Sequence, residues 1–227
     1  MHNTDIAQGK NPWLIFSVTA MGTFMATLDS SIVNVALPVI TTKLGTDISL
    51  AQWIVAGYLL TISSLLPIFG RAGDMYGQRR LYTSGIVLFT LSSISCGFSW
   101  SIWMLIVSRV FQAMGASMMM SNAPAIIALT FKPEERGRAL GAIGTVVAMG
   151  SIVGPSLGGI IVGTLGWQSI FFINIPIGLL CFVMGRSILP KGEIKDETFD
   201  FAGAFLFTLS ISSLLLTLTH GGKWGWA

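Results

Sequence analysis

Residues 13–40 read WLIFSVTAMGTFMATLDSSIVNVALPVI, a run of 28 residues whose single charge is Asp29. Hydrocarbon offers no partner to an open backbone amide, so a stretch this long and this apolar is stable there only as a helix, and about 20 such residues suffice to cross a bilayer. Six more stretches of the same kind follow, at 49–70, 80–99, 102–130, 138–164, 168–188 and 199–219. The chain therefore reads as seven membrane-spanning helices joined by short connections. The first run is also far longer than the roughly 7–15 apolar residues of a cleaved signal peptide, so it is expected to be retained.

Composition gives the same answer. Apolar residues make up 52% of the 227, charged residues only 10%, and mean hydropathy is +0.75. Soluble domains carry about a quarter charged residues. A net charge of +3 and a pI near 9.1 would suit a nucleic-acid binder. Here the cations sit in loops between apolar runs, which argues for topology rather than nucleic acid. Lys10, Arg71, Arg79, Arg80, Lys132, Arg136, Arg138, Arg186, Lys191 and Lys195 fall on one side of the spans, and Lys43 and Lys223 on the other. By the positive-inside rule the N-terminus is cytoplasmic, in the cell or inner membrane, with the bilayer as the first partner. Trp13, Trp53, Trp100, Trp103, Trp167, Trp224 and Trp226 lie at or near span ends, where an indole favours the headgroup region.

Cys96 and Cys181 fall within spans and read as buried thiols, while His2 and His220 are too far apart to found a zinc site. No nucleophile–base pair, metal cluster or phosphate-binding Gly-Lys-Ser/Thr loop is visible, so neither an enzyme nor a cofactor is expected.

Two charges do lie well inside spans, Asp29 in the first and Arg109 in the fourth. Such residues are costly in lipid and face a partner or a hydrated cavity. At 1.5 Å per residue, Asp29 lies about 4–5 Å, and Arg109 about 10 Å, to the outer side of its span's centre. The two can meet. Burial favours the protonated carboxyl and a nearby cation the ionised one, so such a pair suits reversible protonation; a permanent structural ion pair is the alternative. In the fifth span Gly150, Gly154 and Gly158 repeat every four residues, a flat face for close helix approach, and Pro155 removes an amide donor. Gly159 extends the run. Between the second and third spans, Gly70, Asp74, Gly77, Arg79 and Arg80 read as a tight charged turn, with Asp74 suited to a helix end and the arginines to the inner membrane surface.

These stretches resemble the major facilitator superfamily, and within it the fourteen-span drug:proton antiporters. Gly70 to Leu81 is similar to the loop motif G-x-L-A-D-R-x-G-R-K, with Ala72, Met75 and Gln78 in place of Leu, Arg and Arg. Residues 109–116, RVFQAMGA, resemble R-x-x-Q-G-x-G-A, with Ala113 replacing Gly. Residues 150–159 match G-x-x-x-G-P-x-x-G-G, and 28–38, LDSSIVNVALP, resemble the first-helix signature L-D-x-T-V-V-N-V-A-L-P with Ser31 for Thr. Residues 167–178 are similar to W-R-W-I-F-L-I-N-V-P-I-G, with Gln168 for Arg.

The resemblance implies an all-α membrane fold: a six-helix N-terminal bundle over 13–189 built from two inverted three-helix repeats, after a cytoplasmic segment 1–12. A cytoplasmic linker at 190–200 and a seventh helix with an external end at 201–227 would follow. It implies that Asp29, Arg109, Asn34 and Gln112 serve proton coupling and line the cavity. It implies that Gly70, Asp74, Gly77, Arg79 and Arg80 gate the cytoplasmic side, and that Gly150, Gly154, Pro155, Gly158 and Gly159 seal one wall. The expected activity is proton-coupled efflux of amphipathic organic compounds. Because alternating access needs two bundles rocking about a site between them, the chain is expected to be a truncated product or a half-transporter that pairs with a second half. Metabolite import is a further reading, and so is a membrane fragment that does not transport.

Overall fold

The computed structural model describes residues 11–192 and 200–220. Its helices are α1 (Pro12–Leu44), α2 (Ile48–Tyr76), α3 (Gln78–Gly97), α4 (Ile102–Thr130), α5 (Pro133–Leu165), α6 (Ser169–Phe172), α7 (Asn174–Ile188) and α8 (Phe201–His220). No strand occurs among the described residues. Lys10, Lys195, Lys223, His2, Trp224 and Trp226, most of the expected linker and the expected external end lie outside them.

Local chemistry sets the helix ends. Asn11 caps α1 through its side chain, 3.0 Å from the amide of Trp13, and Pro12 follows at the first turn, where its missing amide hydrogen costs nothing. Ser101 caps α4 by accepting from the amide of Met104 at 3.2 Å. Glu134 and Glu135 occupy the first turn of α5, complementing the positive end of its dipole.

Two expectations are corrected. The charged turn between the second and third spans is mostly helical: α2 runs through Gly70 and Asp74 to Tyr76, and only Gly77, at φ 94°, breaks the path before α3 begins. That left-handed φ is what glycine supplies without strain. The sixth span is two helices rather than one, parted at Ile173. Pro176 cannot donate to the carbonyl of Phe172 four residues earlier, so the ladder loosens there. By length and composition five described segments can cross a membrane, α1, α2, α4, α5 and the α6–α7 stretch. The less apolar α3 is packed against α4 and α7 within the bundle.

The packing repeats one pairing. α1 packs along α5, and α4 packs along α2 in the same way. Each contact includes a polar side chain set against a glycine. On α1, Ser31 Oγ donates to the carbonyl of Gly150 at 3.0 Å, and Gly154, one turn on, faces the same serine. On α4, Asn122 Nδ2 donates to the carbonyl of Phe69 at 3.1 Å, and Gly73, one turn on, faces the same asparagine. α3 and α4 also meet backbone to backbone: a β-carbon on Gly115 would lie 2.7 Å from the carbonyl oxygen of Gly85.

The N-terminal end of α1 lies beside the α4–α5 turn, with Trp13 edge-on to Phe131 at 5.4 Å and Arg138 5.8 Å from the indole. The α2–α3 turn meets the end of α7, where Arg79 donates to the carbonyl of Arg186. Since the helices alternate, the described cations of the loops gather at this one end, apart from Lys43. Trp13, Trp100 and Trp103 are exposed as interfacial rings should be. Trp167 is not: it is buried and edge-on to Phe171, a core residue at the end of α5.

The α1–α5 contact gives a paired test. Gly154→Ala would put its β-carbon 2.8 Å from Ser31 Cβ, and we expect a loss of about 1–3 kcal/mol of stability. Adding Ser31→Ala should recover only part, because Ser31 Cβ remains in place. Gly159→Ala, which has open space around it, should be neutral or slightly stabilising. Melting temperatures in detergent check all three.

Candidate functional site

Five polar side chains from four helices converge inside the bundle. Asp29 comes from α1, Ser93 from α3, Arg109 and Gln112 from α4, and Asn174 from the first turn of α7. All five are buried, Asp29 at 1% and Arg109 at 0% exposure. Arg109 and Gln112 are three residues apart and so share one face of α4.

Arg109 Nη1 makes an ion pair with Asp29 Oδ2 and donates to Gln112 Oε1 at 2.7 Å. Gln112 Nε2 donates to Asp29 Oδ1 at 2.9 Å and to Ser93 Oγ at 3.1 Å. Asn174 Nδ2 donates to the same two oxygens at 2.8 and 2.9 Å. Ser93 passes its own hydrogen to the carbonyl of Phe171 at 2.8 Å. The carboxylate thus accepts from three side chains. The guanidinium lies 3.9 Å from the centroid of the Tyr58 ring on α2, and its Nε donates to the carbonyl of Ile54 at 3.4 Å. A desolvated cation over an aromatic face is worth about 2 kcal/mol. Tyr58 in turn donates to the carbonyl of Ala26 on α1 at 3.2 Å. Arg109 Nη2 and Asn174 Oδ1 have no partner among the described residues.

Asp29, Arg109 and Gln112 are therefore brought together, and the inner charges face each other rather than open water. Asn34 is not with them: it is exposed, and its amide donates to the carbonyl of Ser30 at 3.2 Å. Gly150, Gly154 and Gly158 are buried against Thr27, Ser31 and Ile32 of α1. Pro155 and Gly159 are exposed on the other face of α5. At the loop end, Asp74 accepts from Gln78 at 3.0 Å, so the glutamine standing where the family motif has arginine still engages the carboxylate. Cys96 and Cys181 are buried and free, and Cys96 Sγ lies 3.5 Å from Gln112 Oε1.

Three members of the network escaped the sequence reading. Asn174 carried a signal, being an amide side chain stranded in an apolar run, as did Tyr58, the one tyrosine within the second span. Ser93 carried none, since Ser92 and Ser95 beside it look the same.

A bundle of this kind, with five segments able to cross a membrane, a buried ion pair at its centre and glycine-lined helix contacts, fits a membrane-embedded helical protein. The profile of the Major Facilitator Superfamily matches residues 19–224, and the chain belongs to that family. It is 40% identical over 216 residues to the riboflavin transporter RibZ of Clostridioides difficile, covering 94% of this chain and 47% of that protein. It is 34% identical over 217 residues to the multidrug transporter MdtP of Bacillus subtilis and, over the same length, to the tetracenomycin C resistance and export protein of Streptomyces glaucescens. Each of those matches covers 95% of this chain and 40% of the relative. The chain thus spans less than half the length of these curated relatives. The inward-open structure of the xylose transporter XylE from E. coli superposes with a TM-score of 0.72 at 15% identity, covering 93% of this chain and 57% of that one. Membership of the superfamily, expected from the signatures, is borne out, with drug exporters among the relatives.

Removing one charge of the pair should be worse than removing both. Asp29→Asn leaves a buried guanidinium without its counter-charge, at a cost on the order of 3–5 kcal/mol. Asp29→Asn combined with Arg109→Met should be the more stable protein of the two. Thermal unfolding of both variants in detergent decides this, and an additive double variant would mean that the pair is not coupled.

Proposed function

We propose that the chain forms one bundle of a proton-coupled exporter of amphipathic organic compounds, with Asp29 as the group that takes and releases the proton. The observation that carries this reading is the burial of Asp29 within a network that joins α1, α3, α4 and α7 and, through Arg109 and Tyr58, α2. A proton on Asp29 cancels its charge and weakens its hold on Arg109. The guanidinium is then left to Gln112, the Ile54 carbonyl and the Tyr58 ring, so neutralisation is felt on α2 as well as on α1 and α4. In the conformation described, the carboxyl is 1% exposed, so a proton reaches it only when these helices part. Proton entry and helix movement are then one event, which is what coupling requires.

On this reading the N-terminus is cytoplasmic, Gly70, Asp74, Gly77, Arg79 and Arg80 form the cytoplasmic gate, and the glycine face of α5 closes the opposite wall. Asn34, exposed one turn beyond the network, would face the cavity. A second six-helix bundle completes that cavity, either in continuation of this chain or from a partner half. The multidrug and tetracenomycin exporters among the relatives support an amphipathic organic substrate, and the 40% identity to a protein named for riboflavin favours riboflavin as a second reading.

Liposomes holding a complete two-bundle transporter that contains this chain provide the test. A proton gradient should drive accumulation of a cationic dye, and Asp29→Asn should abolish the driven accumulation while leaving slow equilibration of the dye. The retained equilibration separates uncoupling from misfolding. Full gradient-driven transport by the variant would remove Asp29 from the proton path, and movement of labelled riboflavin without dye transport would favour the second reading.

A further inference from the structure

At the end of the bundle where the loop cations gather, a pocket of about 530 Å³ opens between the start of α3 and the end of α7. Arg79, Arg80, Arg186 and Lys191 line it together with Thr83 and Phe182, and no carboxylate lines it among the described residues. Arg79 spends a hydrogen bond on the carbonyl of Arg186, which fixes its position without neutralising it. Four cations around one hollow repel each other unless an anion sits between them.

A second hollow of about 290 Å³ begins where the first ends, sharing Thr83 and Phe182. Its remaining lining, Ser84, Val87, Leu88 and Leu91, follows one face of α3. From Thr83 to Leu91 is eight residues, about 12 Å along the helix from the charged end toward the middle of the bundle. Val87 is 39% and Leu91 60% exposed there, open to whatever surrounds the bundle. A basic hollow continued by an apolar groove, in a chain that spans a membrane, has the two halves of a phospholipid site.

We propose that this composite site binds one anionic phospholipid, with its headgroup phosphate among Arg79, Arg80, Arg186 and Lys191 and an acyl chain along Val87, Leu88 and Leu91. The groove is what favours a lipid over free phosphate, which would have no use for it. The inference rests on the membrane fold and not on what is transported, and it ties a lipid to the α3–α7 junction rather than to the Asp29 network.

The test uses the purified full chain in detergent, with lipid adducts counted by native mass spectrometry and melting temperature as a second readout. Phosphatidylglycerol should bind at least tenfold more tightly than phosphatidylcholine of the same chain length, since each basic residue near an anionic lipid is worth roughly fivefold. Arg186→Gln with Lys191→Gln should bring that preference within about twofold, while Lys132→Gln, a charge change at the neighbouring α4–α5 turn, should keep it. Val87→Trp, at an exposed position, fills the groove without touching a charge and should weaken phosphatidylglycerol binding by itself, which keeps the test open if the double variant does not fold. Equal binding of the two lipids, or an undiminished preference in the charge or groove variants, would overturn the site. Inorganic phosphate raising the melting temperature as much as phosphatidylglycerol would overturn its assignment to a lipid.

Discussion

A guanidinium held where water does not reach must be surrounded by acceptors, and this requirement organises the bundle. Arg109 finds the Asp29 carboxylate, the Gln112 carbonyl, a backbone carbonyl on α2 and the face of Tyr58. Each of those partners comes at a fixed position along its helix, so satisfying the cation also fixes how α1, α2 and α4 are set against one another. Asp29 carries the constraint further, because its second oxygen draws in Gln112 and Asn174 and through them Ser93 of α3. Breaking such a network at one member leaves a buried charge uncompensated, which is why the pair is strongly held although charges in the interior add little net stability.

The helices can come close enough to share these side chains only because small residues lie between them. Gly85 and Gly115 let α3 and α4 touch through their backbones, and Gly22 admits the Tyr82 hydroxyl, which donates to the carbonyl of Val18 at 3.0 Å. The two glycine-and-polar contacts, Ser31 with Gly150 and Gly154, and Asn122 with Phe69 and Gly73, fall toward opposite ends of the bundle. Each binds a central helix, α1 or α4, to a more exposed one, α5 or α2, through a side-chain hydrogen bond and van der Waals contact, and α4 has a second hydrogen bond to α2 from Arg109. Such contacts slide at lower cost than interdigitated large side chains, whereas parting the ion-pair network leaves a buried charge uncompensated. The contact of α1 with α5 is therefore the more yielding of the two, since α2 is also tied to the centre through Ile54 and Tyr58.

The sequence made the spans legible because the membrane constraint is severe: a helix of some 20 apolar residues has few alternatives in hydrocarbon. The apolar run 102–130 coincides with α4, and the depths of Asp29 and Arg109 let them meet as they do. What depended on local detail was less visible. The charged turn looked like a loop because Gly70, Gly73 and Gly77 crowd it, yet Gly73 serves close contact with Asn122 inside a helix, and only Gly77 turns the chain. Trp167 had the position of an interfacial ring but sits in the core. Asn34 shared a signature with Asp29 but, five residues away, points to a different face of α1. A motif groups residues by sequence, and a helix sorts them by angle.

That sorting bears on how one carboxylate could serve transport. If Asp29 exchanged protons while facing an open cavity, it would do so in every conformation, and the gradient would leak without moving cargo. On the proposed reading, enclosure behind Arg109, Gln112 and Asn174 removes that leak, because the carboxyl, 1% exposed, would be reachable only when the helices that hold it part. On that reading the glycine contact with α5 would leave α1 free to move, and the ion pair would hold it until the carboxyl is neutralised. Coupling of this kind needs no relay of titratable groups. It needs one acid whose burial depends on the same helix contacts that open the cavity, and α1, which carries both Asp29 and the Ser31 contact to α5 two residues later, is the helix on which the two requirements coincide.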